Sequence, residues 1–230
     1  MLVLLRVSNL PTVWTNVLAG ALLCGAFSWG GFALLAVAVS LFYVGGMALN
    51  DLWDREHDRL HRPDRPIPAG LVSAAMARVI CVVLFGAGFA ALAAAPSALG
   101  LAGGVALLAA IMAYDRVHKT SALGPYLMAL CRLLTYPVTA LALTGKLSWP
   151  VLLGAAAMFI YVLALTLVAR AGARSRHRKK SGLPLVPLLI AGISLLDGLV
   201  LALAVSPWLL LAGVGGAVLT LLAQRVVPGD

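Results

Sequence analysis

Long apolar segments, separated by short polar connections, are the dominant pattern along this chain. From the amino terminus, these segments cover residues 12–28, 31–50, 71–93, 98–114, 122–143, 149–169, 184–204 and 207–224. Each approaches the roughly 20 apolar residues that a helix needs to cross the hydrocarbon core of a bilayer. The pattern therefore predicts an all-α fold: a polytopic transmembrane helical bundle of about eight spans, forming one integral membrane domain over residues 1–230.

The overall composition excludes other classes of protein. Of the 230 residues, 62% are hydrophobic and 11% are charged, whereas about a quarter of the residues of an average soluble domain are charged. A soluble globule, a disordered chain, a coiled coil and a disulfide scaffold are excluded, because so few polar residues cannot cover a surface in water. The cysteines lie inside predicted helices and are typical of packing residues; they are Cys24, Cys81 and Cys131.

The basic residues are concentrated in alternate connections. Residues 51–69, 115–121 and 170–182 carry most of the Lys and Arg, while the connections on the opposite side carry only Lys146. By the positive-inside rule the basic connections and both termini lie in the cytoplasm, so we expect a multi-pass protein of the cytoplasmic (inner) membrane. This topology, with attraction to anionic lipid, explains the net charge of +9. Aromatic residues are not interleaved with these basic residues, so nucleic acid is not expected as a partner.

Acidic residues are scarce, and most of them follow the second apolar segment. Asn50, Asp51, Asp54 and Asp58 come directly after it. If the helix continues past the membrane surface, these positions share one face, because they are spaced by three or four residues. Magnesium prefers such oxygen ligands, with phosphate oxygens completing its shell. The alternative is a solvated loop in which the aspartates pair with interleaved arginines.

A proline-rich segment with two arginines comes next. Residues 62–70 read RPDRPIPAG, and the prolines fix an extended backbone that holds Arg62 and Arg65 at a set spacing. A guanidinium group donates two hydrogen bonds at once to a phosphate. Metal-binding aspartates followed by rigidly held arginines indicate a diphosphate-binding site at a membrane surface.

These motifs together resemble those of the UbiA family of intramembrane prenyltransferases. The first motif, NDxxDxxxD, is filled by Asn50, Asp51, Asp54 and Asp58, and the second, RPxRPIPxG, by residues 62–70. The first apolar segment, with Asn16 ahead of Gly20, is also similar to the opening of that family. The resemblance implies a helical bundle around a central cavity that is open to lipid.

The resemblance also implies a magnesium-dependent transferase within the membrane. It assigns catalysis to Asp51, Asp54 and Asp58, and Mg²⁺ binding to these three with Asn50. The implied donor is an isoprenoid diphosphate, which loses its diphosphate to leave an allylic carbocation. The implied acceptor is an aromatic or other small lipophilic molecule that attacks this carbon. Metal and arginine at the leaving group stabilise the transition state more than the ground state.

Three features depart from the family pattern. The family carries a second Asp-rich motif after the sixth span, whereas residues 170–180 of this chain contain no carboxylate. The family's Tyr-x-x-x-Lys element has His118 in place of the lysine after Tyr114, and Lys119 follows one residue later. The family also has nine spans, against the eight predicted here.

Cations are expected to replace the missing motif at the diphosphate. The candidates are Lys119, Arg132, Arg170 and Arg174, which together with Arg62 and Arg65 of the proline-rich segment make up the predicted diphosphate-binding residues. An arginine inside an apolar segment, such as Arg132, usually faces a cavity or a ligand; the alternative is a structural role, with Asp197 as one partner. The basic residues of 170–180 have a second explanation as a topology signal alone. The residues expected in the cavity are Asn16, Tyr114 and His118.

Two other functions remain open on the sequence alone. A catalytically degenerate relative would bind or translocate an isoprenoid or another lipid without chemistry. An unrelated transporter or channel would use the spans for flux and would tolerate changes at Asp51 or Asp54.

Overall fold

Helices joined by short turns and loops make up the part of the chain that the structure describes. The structure is a computed structural model, and it describes residues 5–119, 121–174 and 185–227. Its α-helices are α1 Leu10–Leu23, α2 Trp29–His61, α3 Ala74–Ala93, α4 Leu99–Val117, α5 Gly124–Thr144, α6 Trp149–Arg174, α7 Leu185–Ala204 and α8 Leu210–Gln224. Each predicted apolar segment corresponds to one helix, and the described residues contain no strand. The predicted all-α class is confirmed.

Seven helices of the described ranges are long and apolar enough to cross a membrane, when α8 is counted together with the 3-10 turn that precedes it, over Pro207–Gln224. The exception is α1, whose 14 residues extend about 21 Å against a hydrocarbon core of about 30 Å. The first apolar segment was expected to continue to residue 28. Helix α1 ends earlier because Gly25 adopts a left-handed conformation with φ of 72°, which commonly terminates a helix.

Helix α2 continues well beyond the apolar segment that predicted it. The segment ended at residue 50, but the helix runs for 33 residues from Trp29 to His61. Its first turn is capped by Ser28, whose side chain accepts a hydrogen bond from the backbone N–H of Gly31. Its end falls just before Pro63, because a proline disfavours the helical conformation in the residue ahead of it. The polar residues 50–58 are therefore further turns of the same helix.

The short helix α1 lies at the centre of the bundle. It packs against α2, α5, α6, α7 and α8. Its Val13 and Val17 belong to one buried cluster with Phe42 of α2, and its Leu23 belongs to a second cluster with Tyr136 of α5. Around it, neighbouring helices pack in pairs, α2 with α3, α4 with α5, and α7 with α8.

The outer surface is apolar and carries tryptophans towards one side of the bundle. Trp29, Trp149 and Trp208 are 76, 77 and 80% exposed, and they lie at the start of α2, at the start of α6 and just ahead of α8. Successive spans run in opposite directions, so these three positions lie on the same side, as interfacial tryptophans do. The polar end of α2 lies on the other side.

Candidate active site

The polar turns of α2 present one buried face. Asp51, Asp54 and Asp58, called here the carboxylate face, are 5, 7 and 2% exposed, and the neighbouring Asn50 is 6% exposed. Glu56, which lies between them in sequence, is exposed to solvent. The common orientation follows from the spacing of three or four residues on a helix. These aspartates are therefore buried on a helix and do not lie in a solvated loop, which was the alternative that the sequence left open.

Arg65 contacts two members of the carboxylate face. Its Nη1 atom lies 2.9 Å from Oδ1 of Asp51 and 2.9 Å from Oδ2 of Asp58. Nη2 of Arg6 approaches the same oxygen of Asp51 at 3.8 Å. Arg62 is exposed and forms no ion pair with any described residue. The turn after α2 therefore brings Arg65, but not Arg62, to the aspartates that both were expected to accompany.

The remaining aspartate is held by the two residues that follow α4. Nζ of Lys119 lies 3.0 Å from Oδ1 of Asp54, and Nε2 of His118 lies 3.3 Å from Oδ2. Lys119 also lies 3.6 Å from Oδ1 of Asp58. Burial on its own favours the neutral imidazole, but the hydrogen bond and the negative charge of Asp54 outweigh it and raise the pKa of His118. The carboxylate face together with Arg65, His118 and Lys119 is called here the charged cluster. His118 is thus part of this cluster and is not among the residues that line the cavity described below.

Asp115 is a further carboxylate of this region that sequence reasoning missed. Asn50 donates from Nδ2 to Oδ1 of Asp115 at 3.0 Å, which ties α2 to α4. Asp115 is 5% exposed, and its Oδ2 atom has no hydrogen-bond partner among the described residues. The signal in the sequence that could have identified Asp115 is its position as an acidic residue at the end of an apolar segment, in a chain with only 8 acidic residues.

Arg170 reaches the edge of the cluster without contacting a carboxylate. Its Nη2 atom donates to the backbone carbonyl of His118 at 2.7 Å, so the end of α6 lies beside the α4–α5 connection. The side chain of Arg174 and residues 175–184 lie outside the described part of the chain. Of the cations expected to replace the second Asp-rich motif, the structure brings Lys119 onto the aspartates and Arg170 near them.

An apolar cavity of about 70 Å³ adjoins the charged cluster, between α1, α2, α4 and α5. Tyr114 and Asp115 are part of its wall, so the cavity begins beside the residues that contact the carboxylate face. Apolar side chains that include Phe42, Met47 and Ile111 line most of the rest. Tyr114, expected in the cavity, lines it and stacks on His118 with ring centroids 4.9 Å apart.

Arg132 lines the same cavity from α5, and its hydrogen-bond partners come from α1. Nη1 donates to Oδ1 of Asn16 at 2.9 Å, and Nη2 donates to Oγ1 of Thr12 at 2.8 Å. Asn16 in turn donates to Oδ2 of Asp197 at 2.7 Å. Arg132 therefore faces the cavity and is also linked to Asp197, through an amide and not by direct contact.

The expected position of Asn16 in the cavity is corrected by this arrangement. Asn16 is fully buried, and the residues that line the cavity do not include it. Its amide joins two side chains, the guanidinium of Arg132 and the carboxyl group of Asp197. A buried polar side chain is stable where both its donor and acceptor groups are used, which keeps Asn16 behind the cavity wall.

The donor atoms of the carboxylate face fit Mg²⁺, although the described residues contain no cluster of three or more His, Cys, Asp or Glu arranged to hold a metal ion. Cationic nitrogen atoms bridge pairs of carboxylates: Nη1 of Arg65 lies between Asp51 and Asp58, and Nζ of Lys119 lies between Asp54 and Asp58. Positive charge is therefore accommodated between these aspartates. Carboxylate oxygens are also the ligands that magnesium prefers.

Fold and site define a polytopic membrane protein with a charged cluster at one end of an apolar cavity. The model of the UbiA prenyltransferase family matches residues 10–227 of the chain. The protein therefore belongs to the UbiA prenyltransferase family, as its two motifs predicted.

Known proteins resemble the chain in part of the sequence and in nearly the whole fold. A digeranylgeranylglyceryl phosphate synthase of Methanoculleus marisnigri is 54% identical over 57 residues, which are 25% of this chain and 20% of that protein. A UbiA homologue from Aeropyrum pernix K1 has a TM-score of 0.64 at 21% identity, over 96% of this chain and 86% of the other. A UbiA homologue from Archaeoglobus fulgidus, bound to DMAPP and Mg²⁺, has a TM-score of 0.58 at 17% identity, over 98% of this chain and 89% of the other. The matched segment is thus only a fifth of the first relative's length.

Proposed function

We propose that this protein transfers a prenyl group from an isoprenoid diphosphate to a lipophilic acceptor within the membrane, with Mg²⁺ as cofactor. In this reaction the bond between the allylic carbon and the diphosphate oxygen breaks, and its electron pair leaves with the diphosphate. The acceptor donates an electron pair to the same carbon and loses a proton. The observation that carries the proposal is the buried carboxylate face, with Arg65 and Lys119 on it, beside an apolar cavity.

The residues of α2 would hold the metal in this proposal. Mg²⁺ ligands would come from Asn50, Asp51, Asp54 and Asp58, and the structures of the Archaeoglobus fulgidus homologue with DMAPP or GPP contain Mg²⁺. When bound, Mg²⁺ supplies positive charge that offsets the charge growing on the leaving diphosphate.

The basic side chains around the carboxylate face would bind the diphosphate. Arg65, Lys119 and His118 already lie on the aspartates, and we propose that they donate to phosphate oxygens when the donor is bound. Arg170, beside His118, adds positive charge at the edge. In this way cations of the chain would compensate for the missing second Asp-rich motif. The apolar cavity beside them would hold the isoprenoid tail.

The acceptor in this proposal is an aromatic or other small lipophilic molecule. The apolar lining of the cavity supports a lipophilic acceptor. The curated relatives named digeranylgeranylglyceryl phosphate synthase make a glycerolipid the second candidate to include in assays.

We further propose that the charged cluster faces the cytoplasm from the inner membrane, with both ends of the chain on that side. Arg6, the end of α2, the α4–α5 connection and Arg170 of α6 meet in this cluster. The proposal is supported by this shared side, because basic residues accumulate on the cytoplasmic side of membrane proteins. Cysteine accessibility to a membrane-impermeant reagent in inside-out and right-side-out vesicles tests it.

The proposed activity is tested by pyrophosphate release from labelled prenyl diphosphates in detergent, with Mg²⁺ and candidate acceptors. Asp54→Asn should lower the rate by about a hundredfold or more, because charge stabilisation at a leaving group is of that size. Chelation of Mg²⁺ should abolish it. Glu56→Gln is the matched control, since Glu56 is exposed on the same helix, and its rate should stay within about twofold. Equal loss in both variants would contradict the assignment of the carboxylate face.

A non-catalytic role is the second candidate, and two observations favour it. Each aspartate of the carboxylate face already contacts a basic side chain, and residues 170–180 supply no acidic motif to bind a second metal. A protein that only binds or translocates an isoprenoid would bind prenyl diphosphate tightly, without releasing pyrophosphate under any of the acceptors tested.

A further inference from the structure

Arg132 forms a second polar position in the cavity, separate from the charged cluster. Its contacts are Asn16, Thr12 and the ring of Tyr43, whose centroid lies 5.5 Å from the guanidinium carbon. Among the described residues, it forms no hydrogen bond or ion pair with the carboxylate face. The sequence grouped Arg132 with the diphosphate-binding cations, but the structure joins it to α1 and α2 at the wall of the apolar cavity.

The guanidinium of Arg132 has hydrogen-bonding capacity that the described residues do not use. Arginine carries five N–H donors, and two of them are donated, to Asn16 and Thr12. A charged group inside a membrane protein is costly unless it faces a cavity, a ligand or a partner. Because Arg132 is part of the cavity wall, a ligand in the cavity can accept the remaining hydrogen bonds.

The surroundings of Arg132 hold its guanidinium in place from behind. Asn16 is bonded to both Arg132 and Asp197, and the second oxygen of Asp197 accepts from the hydroxyl of Tyr136. Asn16 and Asp197 are fully buried. A guanidinium that is fixed by hydrogen bonds to Asn16 and Thr12 and has N–H donors left unused at a cavity wall is pre-organised to bind an oxygen atom, and pre-organisation reduces the entropic cost of binding.

We infer that Arg132 binds an oxygen atom of the acceptor substrate. The inference rests on the proposed function, because that function identifies the ligand of Arg132 as the acceptor. It narrows that acceptor to lipophilic molecules with an oxygen that accepts hydrogen bonds, such as a hydroxyl, carbonyl or carboxylate oxygen, and it makes Arg132 a specificity-determining residue. In this inference the charged cluster, and not Arg132, binds the diphosphate of the donor.

The test compares three small aromatic probes that differ in one substituent. They are para-cresol, para-toluate and para-xylene, and their dissociation constants are measured by ligand-observed NMR with the full chain in lipid nanodiscs, after subtraction of empty nanodiscs. We expect the better of the two oxygenated probes to bind about tenfold or more tightly than para-xylene, the size expected for a hydrogen bond to a charged group. The comparison of para-cresol with para-toluate tells a neutral oxygen from an anionic one.

Variants then assign the preference to Arg132. Arg132→Met should bring the dissociation constants of all three probes to within about twofold, and Arg132→Lys, which keeps the charge but loses the planar fork, should retain part of the preference. Arg78→Met is the matched control, because Arg78 is an exposed arginine of α3, and it should keep the wild-type preference.

Several results would overturn the inference. The first is that para-xylene binds the unmodified chain as tightly as both oxygenated probes do, a result that requires no variant to fold. No measurable binding of either oxygenated probe is another, as is an unchanged preference in Arg132→Met. Failure of the proposed function would appear elsewhere, as prenyl diphosphate turnover that is absent or insensitive to Asp54→Asn.

Discussion

The ammonium nitrogen of Lys119 lies 3.0 Å from Oδ1 of Asp54. Lys119 stands one position later than the lysine of the family's Tyr-x-x-x-Lys element, and it still reaches the aspartate from just beyond the end of α4. His118, which occupies the lysine position, contacts the other oxygen of the same carboxylate at 3.3 Å. Two basic residues therefore act where the family pattern has one.

The first prediction concerns this pair. Lys119→Met should raise the KM for the prenyl diphosphate by about tenfold or more, because a charged hydrogen bond to a phosphate is lost, while its effect on kcat is smaller. Arg116→Met is the control, since Arg116 is an exposed cation of the same helix end. Steady-state kinetics with varied donor measure both constants. An unchanged KM in Lys119→Met would exclude Lys119 from donor binding.

The second prediction concerns Arg65, whose Nη1 atom bridges Asp51 and Asp58. Arg65→Lys should weaken donor binding about tenfold, because a single ammonium group cannot reproduce the planar fork of a guanidinium. Arg59→Lys, at an exposed arginine of α2 that pairs with Glu56, is the control and should bind the donor normally. Equilibrium binding of a labelled prenyl diphosphate in the presence of Mg²⁺ is the measurement, and equal affinities in the two variants would refute the role of Arg65.

The third prediction concerns the buried carboxylate of Asp197. Tyr136→Phe removes the hydroxyl that donates to one of its oxygens and should lower the free energy of unfolding by about 1–2 kcal/mol. Tyr126→Phe, at a half-exposed tyrosine of the same helix, should leave the stability unchanged. Unfolding of the two variants in mixed micelles with increasing denaturing detergent compares them directly. A smaller loss in Tyr136→Phe than in Tyr126→Phe would contradict the hydrogen bond.

The fourth prediction concerns the contact between α7 and α8. A Cβ atom on Gly213 would lie 2.6 Å from the backbone oxygen of Ser194 and 2.7 Å from Cα of Gly198, whereas one on Gly215 would meet nothing within 4 Å. Gly213→Ala should therefore cost about 1–3 kcal/mol through forced separation of the helices, and Gly215→Ala should not. Thermal unfolding in detergent distinguishes them, and equal midpoints would mean that these helices do not pack at this position.

Much of the fold was predictable from local sequence, because the relevant physics is local. A run of about 20 apolar residues predicts a spanning helix wherever it occurs, and each of the eight predicted segments became a helix of the described chain. The ends were predicted less well. Helix α1 stops before residue 28 at Gly25, and α2 continues to His61, because caps, prolines and positive φ angles decide helix ends.

The candidate site, like the fold, was predictable from the sequence only in part. That Asp51, Asp54 and Asp58 share a face was determined by the sequence, since a helix of fixed period requires it. Which cations contact that face was decided by tertiary structure: Arg65 does and Arg62 does not, and Arg6 reaches it from ahead of α1. The links of Asn50 to Asp115 and of Arg132 through Asn16 to Asp197 also join residues distant along the chain. Spacing along one helix cannot specify such pairs, because they depend on how separate helices are packed and rotated against one another.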